Sequence, residues 1–220
     1  ENRIITAMPT IEHWLRSKWR EHAVPFYCSV DLRNSGFKLA PVDTNLFPGG
    51  FNNLNPEFMP LCVQAMMNAI EKICPDTQSV LLIPENHTRN TFYLQNIATL
   101  QNIMQQTGLN VRIGSLLPDI TAATTIDLPD GQTITLEPLI RKNDQLGVKN
   151  FEPCAIILNN DLSTGIPDIL QNLNQTIIPP LNAGWATRRK SVHFSAYDRV
   201  AEEFSNLIGI DPWLINPRFT

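Results

Sequence analysis

Charge is scarce in this chain. Only 17% of its 220 residues are charged, and the formal net charge is −4. No run of lysine and arginine is longer than Arg188-Arg189-Lys190, which leaves no electrostatic case for nucleic acid. No apolar run approaches the ~20 residues that cross a bilayer, and no charged-then-apolar leader opens the chain, so neither membrane nor secretion is expected. Cysteine is sparse too. Cys28, Cys62, Cys74 and Cys154 lie far apart and none forms a CxxC pair, which argues against zinc. Their apolar neighbours make them read as buried free thiols of a reducing cytoplasm. The nucleotide motifs GxGxxG and GxxxxGK[ST] are missing, as are GxSxG and HExxH. By itself this piece therefore bears no mark of ATP binding or of hydrolysis. It also has no internal repeat and no low-complexity linker.

What is present is an alternation of apolar strands and amphipathic helices in a chain that is 43% hydrophobic. The spacing of Ile11, Trp14, Leu15 and Trp19 predicts a helix from a Thr10 cap to about Glu21. Phe26 to Leu32 predicts a strand. Pro56 opens a second helix to about Ile73 with a wide apolar face. Ser79 to Ile83, SVLLI, has the composition of a buried parallel strand. A helix capped by Thr88 or Asn90 and closed by Gly108 follows, then a strand over Asn110–Leu117. Ala155–Leu158 is another buried strand, a short helix starts near Pro167, and a last helix runs from about Phe194 to Leu207. The stretch TTIDLPDGQTITLEPLI alternates on both sides of Pro129-Asp130-Gly131, which predicts a β-hairpin inserted at about 121–144. The fold class is α/β, a mainly parallel sheet flanked by helices with right-handed crossovers.

In such sheets ligands bind beyond the carboxyl ends of the strands. The candidate site residues follow from that rule. PVDTNLFPGGFNNL (Pro41–Leu54) combines Asp43, Asn45, Asn52 and Asn53 around a Pro-Gly-Gly turn. Amides and a carboxylate in an ordered loop suit a small ligand carrying both amine and carboxylate. The alternative is a turn whose asparagines satisfy only their own backbone. Arg33, just past the first strand, can pair with a substrate carboxylate or with Asp31 or Asp43. Glu85 and Arg89 flank the loop after SVLLI, where Glu85 can hold an amino group and Arg89 a carboxylate. Their alternative is helix capping and a surface pair. His87 shares that loop; His13 and His22 read as helix residues with no role. Arg188 and Arg189 are a secondary anion-binding candidate, beside His193. No metal-ligand set stands out, and no catalytic residue is assigned. The chain opens on Glu1 and stops at Thr220, and it reads as part of a longer polypeptide.

Four segments carry a resemblance: Phe26–Leu54, LLIPENHTRN (Leu81–Asn90), NAGWATRRKSVHF (Asn182–Phe194) and DPWLINP (Asp211–Pro217). With these the chain resembles the N-terminal half of the proteobacterial glutamate–cysteine ligase family, the glutathione-synthetase-like type. The resemblance implies an ATP-grasp enzyme whose first half is a pre-ATP-grasp-like domain on the substrate side. It implies L-glutamate, L-cysteine, ATP and Mg2+ as reactants and cofactor in the first step of glutathione biosynthesis. It places the glycine-rich ATP cover and the magnesium acids in a second half that is missing here. On that view Arg33, Asp43, Asn45, Asn52, Asn53, Glu85 and Arg89 serve the amino acids, and a homo-oligomer is left open. Three other readings stay open: a non-catalytic amino-acid-binding module, an assembly domain using the hairpin, and an ATP-grasp ligase for another amino-acid pair.

Overall fold

Two uninterrupted apolar runs set the core of the Phe47–Ala186 unit. Leu81, Leu82 and Ile83 are wholly buried, as are Ile156 and Leu158. Each such side chain contributes about 1.5–3 kcal/mol on burial, which is why these short runs form inner strands of a sheet covered on its faces. The computed structural model describes residues 2–73, 75–86 and 89–216. Cys74, His87, Thr88 and Pro217, named above, lie outside them.

In chain order the elements are α1 (Asn2–Thr6), α2 (Met8–Glu21), β1 (Ser29–Asn34), β2 (Leu39–Asn45), α3 (Met59–Glu71), β3 (Ser79–Pro84), α4 (Thr91–Gln106), β4 (Asn110–Ser115), β5 (Thr124–Asp127), β6 (Thr133–Pro138), β7 (Ile140–Lys142), β8 (Gln145–Gly147), β9 (Ala155–Asn159), β10 (Thr176–Ile178) and α5 (Lys190–Ile208). The chain divides into two compact units, Phe47–Ala186 and the segments on either side of it.

The Phe47–Ala186 unit holds a six-stranded sheet in the order β10-β9-β3-β4-β6-β5. All neighbours are parallel except β5 and β6. α4 covers it with Leu94, Ile97, Leu100, Ile103 and Met104, a buried stripe at helical spacing. The chain leaves β3 towards β4 on one side, while β9 leads to β10 on the other. β3 and β9 are neighbours, with Pro84 opposite Asn159 at their carboxyl ends. That is a topological switch point, where a crevice opens in open α/β sheets. The predicted hairpin exists as β5 and β6, but β6 also pairs with β4, so it forms an edge of the sheet. The burial of Ile134 and Leu136 explains this. β7 and β8 form a separate small hairpin. Near Pro167 there is only a single 3-10 turn, Asp168–Leu170.

In the other unit α2 lies along α5. Trp14 meets the Phe204 ring at 5.6 Å and donates to Glu203 Oε1 at 2.7 Å. α2 begins at Met8, ahead of the expected Thr10 cap, and α5 begins at Lys190. The first predicted strand does not join the parallel sheet. β1 instead pairs antiparallel with β2 in a two-stranded sheet. Its alternation of Val30 and Leu32 with Asp31 and Arg33 suits a strand with a wet face, and all four are exposed. The turn is fixed by Asn34 Oδ1, which accepts from Gly36 N at 2.8 Å, with Gly36 at φ +89°. The Pro41–Leu54 segment is consequently strand as far as Asn45 and loop only beyond it. The cysteines also depart from expectation: Cys28 and Cys154 are exposed and Cys62 is half-buried. Cys154 accepts a place at the open start of β9, where Ser79 Oγ lies 3.5 Å from its sulfur. No helix among the described residues is long and apolar enough to cross a membrane.

Candidate amino-acid site

The polar groups at the carboxyl ends of β3 and β9 form one connected network. Tyr93 stands in the first turn of α4, and its backbone N–H donates to the Asn90 side chain at 3.1 Å. Its hydroxyl accepts from Glu85 N at 2.7 Å. The same hydroxyl donates to Asn159, with the carbonyl at 2.9 Å and Oδ1 at 3.1 Å. Asn159, 1% exposed, donates through Nδ2 to the Pro48 carbonyl at 2.8 Å. Asn160 donates to the Pro84 carbonyl at 3.0 Å, and Glu85 Oε1 accepts from Asp161 N at 3.0 Å. These buried amides replace the ladder bonds that end with the strands, which is what burial of polar groups demands.

The same network holds the loop that carries Asn52 and Asn53. Pro48 is fastened by Asn159, and Phe51 N donates to Asn96 Oδ1 at 2.8 Å. Asn96 lies one turn beyond Tyr93 on α4. Its Nδ2 is buried and has no hydrogen-bond partner among the described residues. Gly184 closes the far side: a Cβ there would come within 1.9 Å of the Asp161 carbonyl oxygen. Glu85 is half-buried, while Asn52, Asn53 and Arg89 are exposed. The structure thus brings Glu85 and the Asn52–Asn53 loop to the exits of β3 and β9, and Arg89 follows Glu85 before the Asn90 cap.

The remaining candidates belong to the other unit. Arg33 is exposed on β1, opposite Ala40. Asn45 ends β2 opposite Ser29. Asp43 pairs with Lys190 Nζ at 3.2 Å and accepts from Thr44 N at 3.0 Å. Thr44 Oγ1 lies 3.2 Å from His193 Nε2. Burial lowers the His193 pKa below 6.5, helped by the Arg188 and Lys190 charges and opposed by Asp43. Burial likewise lowers the Arg188 pKa, against the pull of Asp43. Arg189 is exposed. Arg188, Lys190 and His193 do gather around Asp43.

The glutamate-cysteine ligase (GshA) family model matches residues 1–220. The chain belongs to the glutamate-cysteine ligase family. A crystal structure of a candidate γ-glutamylcysteine synthetase from Methylobacillus flagellatus KT is 67% identical in sequence, with a TM-score of 0.95. The match covers 99% of this chain and 51% of that one, so the chain spans about half of its structural relative. No curated protein matches the chain.

For a chain of the glutamate-cysteine ligase family, this network adds residues that sequence reasoning did not assign. Tyr93, Asn96, Asn159 and Asn160 join Glu85, and Gly184 stands flush against them. The signal for Asn159 and Asn160 was visible, since two amides end a buried apolar strand. Tyr93 gave none, because it reads as one more apolar member of a helix. Among the described residues no three His, Cys, Asp or Glu side chains come together as a metal cluster. The donor set that Mg2+ would take from protein alone does not fit here, and no step is derived through it.

Proposed function

We propose that this chain is the amino-acid side of a cytoplasmic, ATP-dependent ligase that joins L-glutamate to L-cysteine in the first step of glutathione biosynthesis. The observation that carries the reading is the connected polar network at the exits of β3 and β9, the edge where open α/β sheets take ligands, in a chain of this family. ATP is the phosphoryl donor. The glutamate γ-carboxylate oxygen takes the terminal phosphoryl group and ADP leaves. The cysteine amine then attacks the acyl carbon, loses a proton, and phosphate departs. Such chemistry asks the protein chiefly for placement and for charge to meet charge. The nucleotide and Mg2+ are assigned to the part of the longer polypeptide that this chain does not span.

Within the crevice, Glu85 meets the substrate ammonium and Arg89 the α-carboxylate. Asn52 and Asn53 supply amides on the opposing loop. Arg33, Asp43 and Asn45 remain proposed substrate-binding residues from their place after the first predicted strand and in the amide-rich Pro41–Leu54 segment, and Arg188 and Arg189 a proposed anion site. A charge-assisted hydrogen bond is worth about 1.5–3 kcal/mol. In the full-length ligase Glu85→Gln and Arg89→Ala should therefore each raise the L-glutamate KM, or lower kcat, by about tenfold or more. Unchanged kinetics in both would remove the crevice from amino-acid binding. A substrate panel in which another amino acid outperforms L-glutamate would instead redirect the reading to a different ligase.

A further inference from the structure

We infer that Tyr93 is a positioning residue for amino-acid recognition: its hydroxyl sets Glu85 for the substrate ammonium and couples it to the Pro48–Asn53 loop. This rests on the crevice being the amino-acid site. Glu85 is held at two points. Its backbone N–H is fixed by the Tyr93 oxygen at 2.7 Å, and its carboxylate by Asp161 N at 3.0 Å. The phenol is itself aimed, because the Asn90 side chain fixes the Tyr93 backbone at the cap of α4. On its other side the hydroxyl donates to Asn159, whose Nδ2 holds the Pro48 carbonyl. One oxygen thereby ties the exit of β3, the exit of β9 and the loop bearing Asn52 and Asn53.

A tyrosine serving the core alone would need one partner for its hydroxyl. This one stands half-buried on the same helix face as Ile97 and Leu100, yet its hydroxyl has partners at the exits of two strands and accepts from the residue proposed to meet the ligand. Removing the oxygen leaves the ring in place. It removes the Tyr93 tie on the Glu85 backbone and one of the partners of Asn159, which keeps its Nδ2 bond to the Pro48 carbonyl, while the Glu85 carboxylate keeps its charge. The effect on substrate should therefore pass through Glu85.

The test is steady-state kinetics of the full-length ligase. Tyr93→Phe should raise the L-glutamate KM about tenfold, with kcat and the ATP KM within about twofold. In a Glu85→Gln background the same change should add less than about twofold, as expected for two residues acting as one unit. Asn159→Ser, which removes both the Oδ1 beside the phenol and the Nδ2 tether to Pro48 but leaves the phenol the main-chain carbonyl at 2.9 Å, is the second probe and should raise the L-glutamate KM about threefold. An unchanged KM in Tyr93→Phe, or a full multiplicative effect on top of Glu85→Gln, overturns the role. A fall in kcat alone, tracking the folded fraction, also overturns it. If Glu85→Gln raises KM while Tyr93→Phe and Asn159→Ser do not, the site stands and the positioning role falls. If Glu85→Gln is itself silent, the crevice reading falls first.

Discussion

β1 and β3 look alike as letters and behave in opposite ways. Each is six residues long with valine at its second position. β3 continues as Leu-Leu-Ile and is buried between parallel neighbours, whereas β1 continues as Asp-Leu-Arg and lies in an exposed antiparallel pair. The difference teaches that continuity of the apolar run, rather than its presence, decides whether a strand enters a covered sheet. The same contrast runs through the charges and turns of the two units. In the Phe47–Ala186 unit Glu137, Asn159 and Asn160 are buried and hydrogen-bonded, with Asn96 Nδ2 an exception. In the flanking unit, formed by the segments outside it, Asp31, Arg33 and Arg189 are exposed.

The strongest way to break this contrast is the ion pair of the sheet. Arg112 Nε donates to Glu137 Oε1 at 2.6 Å, Nη2 reaches Oε2, and Glu137 is 7% exposed. Arg112→Ala strands a buried carboxylate and should cost about 3–5 kcal/mol by urea unfolding at neutral pH. A loss below about 1 kcal/mol would erase the distinction. Gly184→Ala comes next. Its new methyl group meets backbone rather than a mobile side chain, so about 1–3 kcal/mol should be lost. Gly36→Ala is its counterpart on the β1–β2 turn, where a Cβ would meet nothing within 4 Å. Only the positive φ is penalised there, by about 1–2 kcal/mol. Lys190→Ala, which removes the exposed pair with Asp43, should stay within about 1 kcal/mol and respond to salt.

The smallest expected effect is a pH dependence in the flanking unit. The His193 pKa is lowered in the folded protein, so the unfolded chain takes up that proton first. The stabilisation is present above the ordinary value of 6.5 and is lost as pH falls below it. The melting temperature should drop less between pH 7.5 and 5.5 in His193→Gln than in the unmodified protein. Equal drops would remove His193 from that dependence.

The sheet was legible because burial leaves a plain mark. SVLLI and AIIL are short apolar runs that suit inner strands, and the α4 stripe from Leu94 to Met104 has helical spacing over about three turns. The helix near Pro167 was not, because a single 3-10 turn and a helix start share the same proline signal. The fate of Phe26–Leu32 was readable in part from Asn34-Ser35-Gly36, a turn signal that the apolar count overrode. For the site, Glu85 was accessible from its place after a strand. Tyr93 was not, since its role depends on a partner 66 residues away. Cys28, Cys62 and Cys154 misled because apolar neighbours in sequence do not ensure burial in space. Cys154 sits beside β9 yet precedes its covered portion.

Asn159 also has its amide orientation decided for it. Glu85 offers a backbone N–H, which can only give a proton, so the phenol must pass its own proton onward. Pro48 offers a carbonyl, which can only receive one. Relay from strand exit to loop therefore runs in a single sense, set by main-chain chemistry at both termini. An aspartate in that position would face the Pro48 carbonyl with lone pairs and could not complete the relay, whereas the amide present does so with one oxygen and one nitrogen in fixed places.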